Sequence, residues 1–356
     1  MKKIILSLSL LLLITSIAYA QNKTDTIPDM NDPGKVLAWL KKRNIPALGL
    51  AYIEKGKLQS VKVFGNLKPG VAASDNALFN VASLTKPITT MVTLNLVNSG
   101  KWQLDEPLFH YWTDPDIKDD PRSLKLTTKD ILNHRTGFPN WRSQLKYGKL
   151  AFQVDPGTKY GYSGEGFEYL RHALENKFHR TLAQLADSII FKPLKMRSTG
   201  FTWNDKMESR FAVPTDENGK SLEIPKNKEA NAADLLKTTV GDYGRFLVWI
   251  LDGGGLSKEL FRQMLDKQVE IKEHVYMGLG WSVYDDLGNG EYGVSHGGRD
   301  PGVNTIVFIL PNSKRGLLIF TNSDNGSQLY APLVKAYLKQ QGQAILDIEL
   351  KNQTNK

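Results

Sequence analysis

Apolar positions recur at two different periods along this chain, and the switches between them outline its elements. Val36, Leu37 and Leu40 lie at helical spacing and predict a helix over residues 33–43. An apolar run over 46–53, the turn Glu54-Lys55-Gly56-Lys57 and an alternating stretch over 60–64 predict a β-hairpin. Ile88, Met91, Val92 and Leu96 mark one face of a helix over 83–98. Leu247, Ile250 and Leu251 predict another over 231–252, stopped by Gly253-Gly254-Gly255. Strand-like segments follow over 280–284, 293–296, 305–310 and 317–321, with Pro311-Asn312 among the turn residues, and a helix near 327–340 closes the run.

That order predicts an α/β (α+β) domain over 33–341. Strands from both ends of the chain share one central antiparallel sheet, helices cover its faces, and a mainly helical subdomain is inserted at about 102–230. Residues 21–32 read as a flexible polar leader and 342–356 as a polar C-terminal tail. Residues 1–20 form a different kind of segment. Met1-Lys2-Lys3 is basic, 4–20 carry no charge, and Ala18-Tyr19-Ala20 ends the stretch as a small-x-small pattern before Gln21. A secretory signal peptide has this layout. Its apolar core of about 14 residues falls short of the roughly 20 that a spanning helix needs. The expectation is cleavage after Ala20 and a periplasmic or secreted product without a stable membrane span.

Composition narrows the chemistry. With 41% hydrophobic and 23% charged residues, the 356-residue chain is globular in character. It has no Cys, which excludes disulfides, thiolate metal sites and a thiol nucleophile. The formal charge of +9 raises the question of nucleic acid, but Lys2 and Lys3 would leave with the signal peptide, giving +7. The remaining charges are interspersed, as in Asp205-Lys206-Met207-Glu208-Ser209-Arg210, which reads as a solvated face. No nucleic-acid partner is expected, and at most an affinity for anionic envelope material.

Three segments carry candidate chemistry. In Ser83-Leu84-Thr85-Lys86 the serine and lysine stand three residues apart at a predicted helix start, on one face of it. A serine hydroxyl is a poor nucleophile without a neighbouring base. A lysine serves as that base once burial and positive potential lower its pKa. Ser143-Gln144-Leu145-Lys146 repeats the spacing, but in a polar stretch with no apolar run behind it. The second segment, Pro156 to Gly164, is a Pro-Gly turn leading to Tyr162-Ser163, and a buried tyrosine next to a lysine ammonium can titrate low enough to relay protons. The third, Ser295-His296-Gly297-Gly298-Arg299-Asp300-Pro301-Gly302, begins on a predicted strand. Its glycines admit a substrate backbone, and an N–H just past them can join that of Ser83 as an oxyanion donor.

Together the segments resemble the serine β-lactamase and penicillin-recognising enzyme family, on the branch of class C β-lactamases, D,D-carboxypeptidases, D-aminopeptidases and related esterases. The likeness spans roughly 34–340. Ile131-Leu132-Asn133-His134-Arg135-Thr136-Gly137 resembles the family's LLxHxSG segment, and Gly278-Leu279-Gly280-Trp281, Pro301-Gly302 and Asn322 also fit. The resemblance implies a β-lactamase/transpeptidase-like fold with Ser83 as the acylated nucleophile and Lys86 as its proton acceptor. It makes Tyr162 the partner base and the acid for the leaving group, and leaves open which of Lys86 and Tyr162 takes the first proton. His296 would hold the substrate opposite Tyr162, and the N–H groups of Ser83 and Arg299 would form the oxyanion hole. Gly164, Gly297 and Gly298 complete the implied substrate site, with no metal and no cofactor.

Two departures shape the expected activity. Gly164 stands where the family's Tyr-x-Asn motif has its Asn, and His296-Gly297-Gly298 replaces Lys-Thr-Gly. A permanent cation for a substrate carboxylate gives way to a histidine that is mostly neutral at neutral pH, with Arg299 as the neighbour able to supply the charge. The expected function is an exported serine hydrolase that cleaves an ester or peptide through an acyl-enzyme, of esterase or D-peptidase type ahead of efficient β-lactamase, on a small or peptidoglycan-derived substrate. The alternatives are a penicillin-binding or sensor-like protein with little turnover, and a β-lactamase. A rival α/β-hydrolase reading takes Ser163, Asp242 and His296 as its triad, because Gly161-Tyr162-Ser163-Gly164-Glu165 nearly makes a Gly-x-Ser-x-Gly elbow. A metallohydrolase finds no ligand spacing among His110, His134, His172, His179, His274 and His296.

Overall fold

A computed structural model describes residues 26–354; the expected signal peptide lies outside them. Helix α1 (Pro33–Lys41) starts at the N-cap Asp32, whose side chain accepts from Lys35 N, with Pro33 in the first turn. The hairpin β1 (Ala47–Glu54) and β2 (Lys57–Lys68) turns through Lys55 and Gly56, both with positive φ, the geometry of a tight two-residue loop. Strand β3 (Val71–Ala72) adds an edge. Strand β4 (Phe79–Asn80) leads into helix α2 (Thr85–Asn98). The middle of the chain carries α3 (Thr128–Leu132), α4 (Gly164–Phe178), α5 (Leu182–Ala186) and long loops. Strand β5 (Lys237–Thr238), α6 (Val240–Leu251) and α7 (Lys258–Leu265) follow. The chain ends in six strands and a helix. The strands are β6 (Val269–Lys272), β7 (Val275–Met277), β8 (Ser282–Tyr284), β9 (Gly293–Asp300), β10 (Val303–Leu310) and β11 (Arg315–Thr321), and the helix is α8 (Tyr330–Thr354).

Nine strands form one sheet in the order β3-β2-β1-β11-β10-β9-β8-β7-β6, antiparallel throughout. Strands from the two ends meet where Leu50 pairs with Ile319. Because side chains alternate across a strand, the sheet has two buried faces. Leu48, Leu50, Ile306, Phe308, Leu317 and Ile319 pack under α1 and α8. Ala51, Val307, Ile309, Leu318 and Phe320 pack with α2 and α6.

Three expectations change. The helix expected over 231–252 begins only at Val240, where the Thr239 side chain accepts from Asp242 N. Residues 231–239 run irregularly into β5, and Leu235 has φ +63, which no helix accommodates. The segment from 342, expected as a polar tail, is helical to Thr354 beyond a break at Lys339, with Ile345 and Glu349 buried. In the leader, Met30 is buried and its carbonyl accepts from Lys62 Nζ at 2.8 Å.

Candidate active site

Ser83 sits in a single 3-10 turn, Ala82–Leu84, immediately before α2. The turn is braced on several sides. Tyr243 Oη donates to Leu84 O at 2.8 Å, and Thr85 Oγ1 donates to Ala82 O at 2.7 Å. Ala82 N donates to Asn80 Oδ1 at 3.0 Å, while Asn80 Nδ2 donates to Asp300 Oδ2 at 3.0 Å. The brace holds Ala82 at φ +48, a conformation that costs a non-glycine residue about 1–3 kcal/mol and gathers at functional sites. His134 (φ +55) and Leu235 (φ +63) are two further left-handed residues close to the lysine described next.

One turn on, Lys86 is fully buried, with Nζ 3.1 Å from Ser83 Oγ and donating to Ala233 O at 2.9 Å. Burial pulls its pKa from the usual lysine range down to about 8, against Asp234, Asp300 and Glu168, which pull it back up. Lys86 Nζ also lies 4.6 Å from the centre of the Tyr162 ring. Tyr162 is buried, and its hydroxyl has no hydrogen-bond partner among the described residues. Burial holds that hydroxyl's pKa well above the usual phenol value, and the Ser83 hydroxyl is the neighbour that pulls it back. Ser83, Lys86 and Tyr162 therefore converge, the first two as their spacing predicts, while the low titration expected of Tyr162 is corrected, because burial outweighs its neighbours.

The register of β9 on β10 sorts the third segment. His296 pairs with Val307 and Gly298 with Thr305, on the sheet face that carries α2; Gly297 and Arg299 pair with Ile306 and Asn304, on the face that carries α8. Gly298 touches the nucleophile turn: a Cβ there would lie 2.3 Å from Val81 O and 3.1 Å from Ser83 N. The pairing of β8 with β9 ends at Ser295, so the strand edge from His296 to Asp300 has no β8 partner and its N–H groups can meet a substrate. His296 Nδ1 lies 2.8 Å from Gly297 O, so Nδ1 carries the proton and Nε2, buried and without a partner among the described residues, is an acceptor. Burial and Lys86 push the His296 pKa down to about 3. The expectation that the Arg299 side chain supplies the missing cation is corrected. Its guanidinium is exposed, on the far face of the sheet, close enough to Tyr330 of α8 to oppose in part the rise that burial gives that hydroxyl's pKa.

Gly164 opens α4 beneath an indole ring: a Cβ there would meet Trp141 Cη2 at 2.6 Å. Trp141 thus covers the place of the family's Asn. It also lines an open cavity of about 480 Å3 with Trp112, Arg142, Glu168 and His172, in which Arg142 pairs with Asp114 at 2.7 Å. The competing serines have other tasks. Ser163 Oγ donates to Pro139 O at 2.7 Å and accepts from Gly166 N at 3.0 Å, capping α4, which removes it as an elbow nucleophile. Asp242 of that supposed triad binds Thr199 and Arg245 instead. Ser143 and Lys146 are exposed on the surface.

Sequence reasoning missed a group of ionisable side chains beside the nucleophile. Asp234 and Asp300 adjoin one another, and burial raises the pKa of both. Lys237, fully buried on β5 and bonded to Asn227, is pulled down to about 8 by burial, with both aspartates opposing. Asp234 and Lys237 share one segment, but Asp300 comes from a strand far along the chain, and no motif signals the group.

The sequence matches the profile of the family described as Beta-lactamase over residues 26–339. The chain belongs to the Beta-lactamase family. Among curated relatives, protein flp of Staphylococcus aureus (strain MRSA252) is 22% identical over 326 residues, covering 85% of this chain and 64% of that protein. The chain thus spans just under two thirds of the length of that relative. Among solved structures, the octameric penicillin-binding protein homologue from Pyrococcus abyssi superposes with a TM-score of 0.74 at 19% identity, covering 87% of this chain and 77% of that one. D-alanine carboxypeptidase AmpC from Burkholderia cenocepacia gives 0.72 at 18% identity, covering 88% and 99%. At such identities the likeness is one of fold: the Beta-lactamase family's antiparallel sheet with flanking helices.

Proposed function

We propose that this protein is an exported serine hydrolase that forms an acyl-enzyme on Ser83 and cleaves an ester or peptide bond, of the esterase or D-peptidase type rather than an efficient β-lactamase. The observation that carries the reading is the buried Lys86 Nζ, 3.1 Å from Ser83 Oγ with its pKa near 8. A usable fraction of Lys86 is then neutral at neutral pH and can take the serine proton, whereas buried Tyr162 keeps its own. Ser83 Oγ attacks the carbonyl carbon and its proton passes to Lys86 Nζ. The oxyanion meets the N–H groups of Ser83 and Arg299. As the bond to the leaving group breaks, Tyr162 Oη protonates that group and recovers a proton from the Lys86 ammonium. Water then attacks the acyl-enzyme by the same steps reversed, releasing the acid and restoring Ser83.

The substrate class follows from what the cleft offers. His296 presents a neutral acceptor, Arg299 points to the other face, and Lys237 is engaged by Asn227 and faced by two aspartates. Trp141 fills the place of the amide that would grip an acylamino group. Each departure removes a handle for a β-lactam, while the nucleophile and its base remain. Export rests on the signal-peptide pattern of residues 1–20. The test is a side-by-side assay of a short-chain p-nitrophenyl ester, a D-Ala-D-Ala peptide and a chromogenic cephalosporin with wild type and Ser83→Ala. The reading expects hydrolysis of the ester or the peptide, abolished in Ser83→Ala. Turnover of the cephalosporin alone, or an active Ser83→Ala, contradicts it.

A further inference from the structure

His134 reaches the site only as part of the LLxHxSG-like segment, yet it touches Tyr162 and both of its chain neighbours. Its carbonyl accepts from Gly161 N at 2.8 Å, on one side of Tyr162. Its ring nitrogen Nδ1 accepts from Ser163 N at 3.2 Å, on the other side. Its ring packs on the Tyr162 ring, with centroids 4.3 Å apart and planes inclined by 35°. A single residue thus holds both backbone flanks and the face of the phenol. The left-handed backbone at His134, φ +55 just past α3, accompanies this double grip on the 161–163 segment.

The chemistry of the ring fits the grip. Accepting at Nδ1 requires a lone pair there, which fixes the neutral tautomer with its proton on Nε2. Complete burial, Lys86 and His296 all hold the His134 pKa well below the usual histidine value, so the acceptor persists. We infer that His134 is the positioning residue for Tyr162: it fixes the phenol beside Ser83 and Lys86 and acts on the reaction only through that tyrosine. The inference rests on the acyl-enzyme reading given above. A displacement of a reacting group by about 1 Å can cost about a hundredfold in rate, which sets the scale of the effect.

The experiment uses the protein, a fluorophosphonate probe, thermal melting and p-nitrophenyl ester kinetics. His134→Asn places an amide oxygen on Cγ, where Nδ1 now accepts, and asparagine tolerates left-handed backbone. His134→Gln moves that oxygen one carbon outward, and His134→Phe keeps a ring without an acceptor. The kcat for the ester, which includes attack of water with Tyr162 as the relay, should stay within about threefold of wild type in the Asn variant and fall about tenfold or more in the Gln and Phe variants, with KM little changed. In a Tyr162→Phe background, His134→Phe should add less than about a twofold change, because its effect passes through the missing phenol. Folded Gln and Phe variants that turn over the ester with the wild-type kcat overturn the inference, as does an Asn variant that falls as far as Gln, or a full His134→Phe effect persisting without Tyr162. The Asn–Gln pair decides the matter if the Phe variant does not fold. Labelling that survives Ser83→Ala refutes the acyl-enzyme reading itself, a separate result.

Discussion

Raising the pH should switch on Ser83 in proportion to the neutral form of Lys86. Complete burial brings this lysine to about 8, with Asp234, Asp300 and Glu168 limiting the drop. With that value about a tenth of the enzyme carries a neutral lysine at pH 7, about half at pH 8 and about nine tenths at pH 9. The sign is fixed by the role: a base must be unprotonated, so the acylation rate rises with pH, by about tenfold across those two units. Lys237, also brought to about 8 by burial, titrates over the same range, so the profile is repeated in Lys237→Gln, where the limb set by Lys86 should remain. His296, at about 3, is neutral throughout, His134 is held well below its usual range, and Tyr162 stays protonated because burial raises it well above the usual phenol value. The assay is kcat/KM for a p-nitrophenyl ester against pH, corrected for spontaneous hydrolysis with Ser83→Ala. A flat profile over that range refutes the reasoning, as does a midpoint near the 10.5 of an ordinary lysine.

Other expectations follow from contacts in the cleft. Gly164→Asn drives its Cβ into Trp141, at 2.6 Å, and should lower stability by about 1–3 kcal/mol in thermal or urea melts; an unchanged melt contradicts the packing. Gly298→Ala puts a methyl 2.3 Å from Val81 O, against the nucleophile turn, and should cut kcat by about tenfold to a hundredfold with the protein still folded. Ser163→Ala removes a helix cap and should cost about 1 kcal/mol while Ser83 still labels; loss of labelling in a folded Ser163→Ala would revive the rival nucleophile.

Local signals in the sequence were strong where an element is long and deeply buried. Ile88, Met91 and Val92 on α2, and the apolar strands β10 and β11, show their elements directly because burial dictates their pattern. The helix expected from 231 failed for a physical reason: Ala232, Ala233 and Leu236 are apolar because they pack around Lys86 and the nucleophile turn, where Ala233 O and the Leu236 backbone make hydrogen bonds. Strands β6 and β7 went unseen because they are short, and the exposed Glu270 and half-buried Ile271 and Lys272 of β6 carry no clear alternation. In the site, Ser83 and Lys86 were legible because their spacing is local. The face of Arg299 was not, since it depends on the register of β9 against β10. The Asn80–Asp300 brace joins residues 220 positions apart, and the grip of His134 on the Tyr162 segment spans 29. Only the folded chain brings such pairs together.

The central claim is that Ser83 is the residue that becomes acylated. Incubating the protein with a fluorophosphonate or a slowly released β-lactam, then measuring intact mass and mapping the modified peptide, tests it directly. One adduct per chain, on Ser83 and absent from Ser83→Ala, is the predicted result. An adduct on Ser143 or Ser163, or no adduct on a preparation that hydrolyses substrate, would contradict it.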